Sequence, residues 1–211
     1  MADKYKTEQE AFWAGDFGDA YVDRNSDLRS VARRTALFAK ILDRTANVSR
    51  VLELGANIGH NLLAIRNLLP DSVFGSVEIN DKAAESLGRI PNTKVFRGSL
   101  FNFVPANLGK YDLTLTSGVL IHIDPDHLPE VYRRLYECST SYILLMEYYS
   151  PTPVEVSYRG HTNRLFKRDF AGDMLDKYSD LTLVDYGFQY HRDYNFPDDD
   201  CTWFLMKKAN A

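Results

Sequence analysis

The stretch Val51–Asn61, VLELGANIGHN, constrains this chain more than any other. Val51, Leu52 and Leu54 make a short apolar run that reads as a buried strand. Asn61-Leu62-Leu63-Ala64-Ile65 opens a helix-period pattern, so Gly55-Ala56-Asn57-Ile58-Gly59 must turn the chain between them. Strand, glycine turn and helix have the geometry of a nucleotide cradle, or else of an ordinary ligand-free unit of a doubly wound sheet. Glycine lets the backbone approach a ligand, and the first helical turn presents free N–H groups. Asn57 stands inside the turn, and Asn is the side chain that best tolerates left-handed backbone.

The order is E-x-G-x-N-x-G, not the G-x-G-x-x-G that donates N–H groups to a pyrophosphate. A carboxylate at Glu53 would repel a pyrophosphate and attract a ligand cation. S-adenosylmethionine carries an ammonium and a sulfonium and no phosphate, so it suits this loop. Ser72–Ile79 reads as a second strand and ends at an acid, Glu78, roughly 20 residues beyond the turn, where a carboxylate accepts hydrogen bonds from two ribose hydroxyls. Thr93–Leu100 is a third strand and its turn. Ser99 there is placed for an adenine amine and Leu100 for the ring face, although an Asp is more usual at position 99. Tyr111–Gly118 is the fourth strand, and VLIHIDP follows it at the mouth, since ligands bind outside the carboxyl ends of parallel strands. His122 in that segment is either a general base or a loop-holding hydrogen-bond partner.

The 211 residues suffice for one domain with a sizeable core, and 45% hydrophobic with 26% charged residues is ordinary for a soluble globular chain. A net charge of -4 gives no general affinity for nucleic acid. The polar start MADKYKTEQE, with no apolar span elsewhere, predicts a cytoplasmic protein. Cys138 and Cys201 lack metal spacing and read as reduced thiols remote from the mouth, so no metal site is expected.

Residues 1–25 are expected to form a lid, a short helix and then a loop, broken at Gly15 and Gly18. Trp13 and Tyr21 would cover a cofactor and Arg24 would meet its carboxylate, unless these aromatics only pack. Ser26-Asp27-Leu28 starts a helix, with Ser26 as N-cap, that packs on one sheet face to about Arg44. Tyr142–Glu147 is the fifth strand, and the prolines of YYSPTP lead the chain off the sheet. Residues 150–169 then form an insertion whose Tyr158, Arg159, His161, Arg164 and Arg168 suit an anionic acceptor, or else a solvated loop. Leu181–Tyr186 and Thr202–Met206 complete a seven-stranded mixed sheet as a late antiparallel pair. His191, Arg192 and Asp193 in their loop are weaker acceptor-site candidates.

ELGANIG, the Glu78 strand end and SGVLIHI together resemble a class I S-adenosylmethionine-dependent methyltransferase. QEAFWAGDFGDAYVDRN, VLELGANIGHNL, GVLIHIDPDHL, EYYSPTPVEVSYRGH and LFKRDFAGDML look more narrowly like the methylases associated with pseudaminic acid biosynthesis, from about Glu8 to Lys207. That resemblance implies a Rossmann-like seven-stranded fold with S-adenosylmethionine at Glu53, Gly55, Asn57, Gly59 and Glu78, with Ala56, Ile79, Ser117, Gly118 and Val119 beside them. It implies an acceptor that is a nonulosonic-acid-type sugar or its nucleotide-activated form; N- or O-transfer by a monomer or a homodimer is expected. His122 or His161 would serve as base, Glu147 and Tyr149 would orient an acceptor nitrogen, and Tyr148 would contact the acceptor. The alternatives are methylation of an unrelated small metabolite and a module that binds cofactor or sugar nucleotide without turnover.

Overall fold

Alternation along the strands decides what each sheet face buries. The computed structural model describes residues 5–27 and 29–209. Two helices, α1 (Glu8–Ala14) and α2 (Asp16–Arg24), precede the longer α3 (Arg29–Leu42). The chain then alternates β1 (Arg50–Leu54), α4 (His60–Leu68), β2 (Val73–Glu78), α5 (Asp81–Leu87) and β3 (Thr93–Arg97). A short α6 (Pro105–Leu108) leads to β4 (Tyr111–Ser117), two 3₁₀ turns, α7 (Leu128–Cys138) and β5 (Ser139–Glu147). The insertion carries a two-stranded ribbon, β6 (Val154–Glu155) and β7 (Phe166–Lys167). Helix α8 (Phe170–Lys177) and the hairpin β8 (Leu181–Gln189) and β9 (Cys201–Lys208) close the chain.

The seven strands run in the order β3-β2-β1-β4-β5-β9-β8. The first five are parallel, and β9 joins β5 antiparallel, as does β8 on β9. The expected sheet is thus the observed one. The order reverses between β1 and β4, and a crevice opens there at the carboxyl ends of the strands. Leu52, Leu54, Ile143 and Leu145 face α7 and α8, while Val51, Leu113, Leu115 and Leu144 face α3 and α4. Phe38 and Ile41 fasten α3 to that second face; both are fully buried, and each contributes about 2 kcal/mol on apolar area alone. The same alternation points Glu53 toward α3 and α4.

Two expectations need correction. Gly18 does not break a helix but lies inside α2, because a Cβ there would stand 1.9 Å from the Trp13 carbonyl oxygen. Its missing side chain is what lets α2 fold back on α1. Ser26 is no N-cap: its hydroxyl donates to the Asp23 carbonyl, and Asp27 accepts the Arg29 N–H instead. Leu28, expected in that helix, lies outside the described residues. Among the described residues no helix is long and apolar enough to cross a membrane.

Candidate active site

A cavity of about 630 Å³ occupies the crevice, within the usual range for a small-molecule site. Its floor is the glycine turn. Gly55 and Asn57 hold left-handed backbone at φ 74° and 48°, and Gly59 does so at φ 83°. A Cβ on Gly55 would reach 2.5 Å from Val119 Cγ2, so only glycine lets the post-β4 segment close over the turn. Gly59 does not line the cavity; it is packed against Ile90 and Leu87 and lets α4 start beneath the turn. Ala56, Ile79, Ser117, Gly118 and Val119 lie on the wall.

Both acids sit at the cavity, each differently held. Glu78 at the end of β2 accepts the N–H of Asn57 at 2.7 Å and of Asn80 at 2.8 Å, which fixes its carboxylate across the turn. Burial raises its pKa. Glu53 is 1% exposed; its Oε1 accepts from Asn61 Nδ2 at 2.6 Å, and its Oε2 has no partner. Desolvation pushes its pKa up to about 8, against the opposing Asn61 hydrogen bond and the Arg34 charge. An orphaned, buried carboxylate oxygen fits a cationic ligand group and fits no pyrophosphate. Ser99 lines the wall, but its hydroxyl accepts the Phe101 N–H at 2.9 Å, so it organises the turn while Leu100 offers an apolar face.

The N-terminal helices roof the cavity. Trp13 packs its ring 4.6 Å from His122, edge-on to Tyr21 at 5.3 Å, and its indole N–H is buried without a partner. Arg24 also lines the cavity, exposed, with its guanidinium over Phe17 at 5.5 Å. His122 is 7% exposed, and its Nδ1 lies 2.6 Å from the Arg164 carbonyl. A carbonyl only accepts, so Nδ1 carries the proton and Nε2 keeps its lone pair. Burial holds the ring neutral, with its pKa lowered to about 4.

The remaining candidates divide. Tyr148, Tyr158 and Arg159 line the cavity. Arg164 does not: its guanidinium turns back to Glu8 at 3.2 Å and lies over Phe12. Arg168 pairs with Asp173 at 2.8 Å on the far side of the insertion. Each follows the nearest compensating group. His161 is exposed, edge-on to Phe12 at 5.1 Å and outside the cavity. Tyr149 is exposed against Phe204. Glu147 is buried and accepts the N–H groups of Val119, Leu120 and Ile121 at 3.1–3.3 Å. Its carboxylate braces the post-β4 turn and is not available to an acceptor.

Other lining residues were not anticipated. Arg33, Arg34 and Ser30 reach the cavity from α3, whose polar face reads as solvent-facing in sequence. Arg34 donates to Asn61 at 2.7 Å, extending the Glu53 network. The β8–β9 hairpin contributes Gln189, Asp198 and Asp199. Asp198 pairs with Arg33 at 3.2 Å, and Asp199 accepts from the Tyr148 hydroxyl at 3.1 Å. His191 pairs with Asp200 at 2.9 Å and Asp193 caps its own turn, while Arg192 is exposed; none of the three lines the cavity. Cys201 does line it, contrary to expectation, but burial raises its thiol well above the ordinary value, so it is no nucleophile.

No family model matches the chain, and no curated protein does. Solved structures do match. Magnesium protoporphyrin IX methyltransferase (ChlM) from Synechocystis PCC 6803 with bound SAH superposes with a TM-score of 0.67 at 12% identity, covering 97% of this chain and 100% of that one. The mitomycin 7-O-methyltransferase MmcR gives 0.66 at 14% identity over 96% of this chain and 61% of that one. The N-terminal domain of EvdMO1 with SAH bound gives 0.57 at 15% identity, with 83% and 80% covered. The chain has the fold of the class I S-adenosylmethionine-dependent methyltransferases.

Proposed function

We propose that the protein is an S-adenosylmethionine-dependent methyltransferase acting on a small acceptor. The observation that carries this reading is the orphaned Glu53 Oε2 beside a glycine turn that offers no pyrophosphate cradle. Glu53, with Asn61 and Arg34, would hold the amino-acid end of the cofactor. Glu78 would hold the ribose, and Ile79 and Leu100 the adenine. The bound cofactor supplies an electrophilic methyl group whose leaving group is a neutral thioether, so no acid is needed. The protein's part is to align the acceptor, exclude water and take a proton. Trp13 and Tyr21 roof the site, and the neutral His122, with a free Nε2, is placed to accept the hydrogen bond of a hydroxyl or neutral amine and to take its proton as the methyl group arrives.

The acceptor end is lined by Tyr148, Tyr158, Arg159, Asp198 and Asp199. A nonulosonic-acid-type sugar remains our reading of the acceptor, supported by the sequence resemblance and by Arg159. Arg164 and Arg168 give it no support, and an unrelated small metabolite with both hydrogen-bond donors and an anionic group would fit the same wall.

Titration calorimetry with S-adenosylhomocysteine, and separately with NADH, tests the cofactor. Micromolar binding of the first alone is expected. Binding of NADH, or of neither, would refute the reading.

A further inference from the structure

The base candidate and the roof are joined through two consecutive carbonyls of the insertion. The Arg164 carbonyl accepts the His122 Nδ1–H at 2.6 Å. The carbonyl one residue earlier, that of Asn163, accepts from Gln9 Nε2 at 3.1 Å and from the Arg164 guanidinium at 2.8 Å. Gln9 lies on α1, 3% exposed, a polar side chain buried in a helix whose Trp13 packs on Tyr158 and whose Phe12 packs on Arg164 of the same insertion. Asn163 holds left-handed backbone at φ 56°, which turns the two carbonyls to different partners. The groups facing the imidazole are Tyr158 and Arg164 from the insertion and Trp13 from α1, with Glu8 reached through Arg164. Among the described residues no carboxylate hydrogen-bonds to the ring, so only the Arg164 carbonyl selects its tautomer.

We infer that Gln9 is a positioning residue that couples closure of α1 to the state of the base. Docked, Gln9 holds the Asn163-Arg164 dipeptide so that His122 is locked as the Nδ1–H tautomer with Nε2 free. Undocked, the Trp13 ring leaves and the Asn163-Arg164 dipeptide keeps only its other anchors, the buried Leu165 and the Asn163 N–H on Glu155, so the carbonyl loosens and His122 becomes a solvated imidazole that mixes tautomers and protonates. The base is thus ready only while the roof excludes water. This rests on the reading of His122 as the base, but its test needs neither acceptor nor turnover.

The test is ¹⁵N NMR of the histidine rings in the full chain saturated with S-adenosylhomocysteine, with His122→Asn used to assign the signal. Wild type should show one tautomer, protonated at Nδ1, and no protonation above about pH 5, as its lowered pKa requires. Gln9→Met keeps the shape and loses the donor. It should give mixed tautomers and a protonation midpoint raised by at least one pH unit toward the ordinary histidine value. Arg164→Met, which frees Phe12 and Glu8 but keeps the carbonyl, should shift the signal in the same direction by less, and it serves if Gln9→Met fails to fold. An unchanged tautomer and midpoint in the folded variants would overturn the coupling, as would an Nε2–H tautomer in wild type. Failure of wild type to bind S-adenosylhomocysteine in calorimetry, with the same tautomer and the same Gln9→Met shift seen in the ligand-free chain, would refute the cofactor assignment alone.

Discussion

Replacing Glu53 with Gln separates the cost of this carboxylate from its use. The side chain is 1% exposed, with one oxygen bonded to Asn61 and the other bonded to nothing. With a pKa of about 8, the carboxyl is roughly nine-tenths protonated at pH 7 in the free protein. A ligand ammonium beside Oε2 favours the ionised form, so binding at pH 7 should release about 0.9 proton, falling to about 0.1 at pH 9. Calorimetry with S-adenosylhomocysteine in two buffers of different ionisation enthalpy measures that number. Glu53→Gln preserves the shape and the Asn61 contact, and should abolish the release and weaken binding at least tenfold.

Stability moves the other way. The folded pKa lies above the ordinary value near 4.5, so the folded state binds the extra proton and loses stability as pH rises from 4.5 through 8. The full gap corresponds to about 5 kcal/mol as an upper bound. Glu53→Gln should flatten this decline, so its ligand-free Tm should exceed that of wild type at pH 9. Wild-type binding at pH 7 without proton release, or a variant with undiminished affinity, would refute the assignment of the ammonium to Glu53.

Four further outcomes follow from the geometry. Glu147→Ala strands three buried N–H groups and should lower stability by about 3 kcal/mol in denaturant titration, without shifting acceptor KM if the protein still folds. Gly18→Ala sets a Cβ against the Trp13 carbonyl, so it should loosen the α1–α2 pair, weakening S-adenosylhomocysteine binding while the far-ultraviolet spectrum of the sheet is kept. Asp199→Asn and Arg159→Ala should each raise acceptor KM several-fold with cofactor affinity unchanged. A fall in cofactor affinity would place them with the roof instead. Burial lowers the pKa of His60 and His122 to about 4, so stability should fall as pH drops from about 6.5 through 4. A thermal-melt series against His122→Asn tests the second residue.

The strands were legible because a parallel sheet buried on both faces needs apolar runs, and few other segments carry them. The turn at 55–59 was legible because left-handed backbone admits few residues, and Gly55, Asn57 and Gly59 are such residues. The acceptor wall was less so. Charge in a loop indicates that a partner exists but not which one. Arg164 found Glu8 and Arg168 found Asp173, each within ion-pair distance. Glu147 ends a strand at the mouth, as an orienting carboxylate would, yet three backbone N–H groups claimed it. Arg33 and Arg34 are not legible in the sequence, because a helix's polar face carries no mark of whether water or a cavity lies opposite. Asp198 and Asp199 sit in the same hairpin as His191, Arg192 and Asp193, and a hairpin's side-chain directions depend on a register that spacing alone does not reveal.

Neither apolar cluster that packs the sheet includes a residue of α1, of α2 or of the roof's aromatic set Phe12, Trp13 and Phe17. The roof is joined to the remainder by ring stacking, a few hydrogen bonds and ion pairs such as Lys82–Asp23. Folding of the sheet and the cover of the site therefore reside in separable parts. Substitutions in the roof can retune the cover over the cavity, and with it the surroundings of His122, without disturbing the sheet beneath it, so this part of the molecule can diverge while folding stays intact. A graft of residues 5–25 from another protein of this fold is the corresponding engineering route.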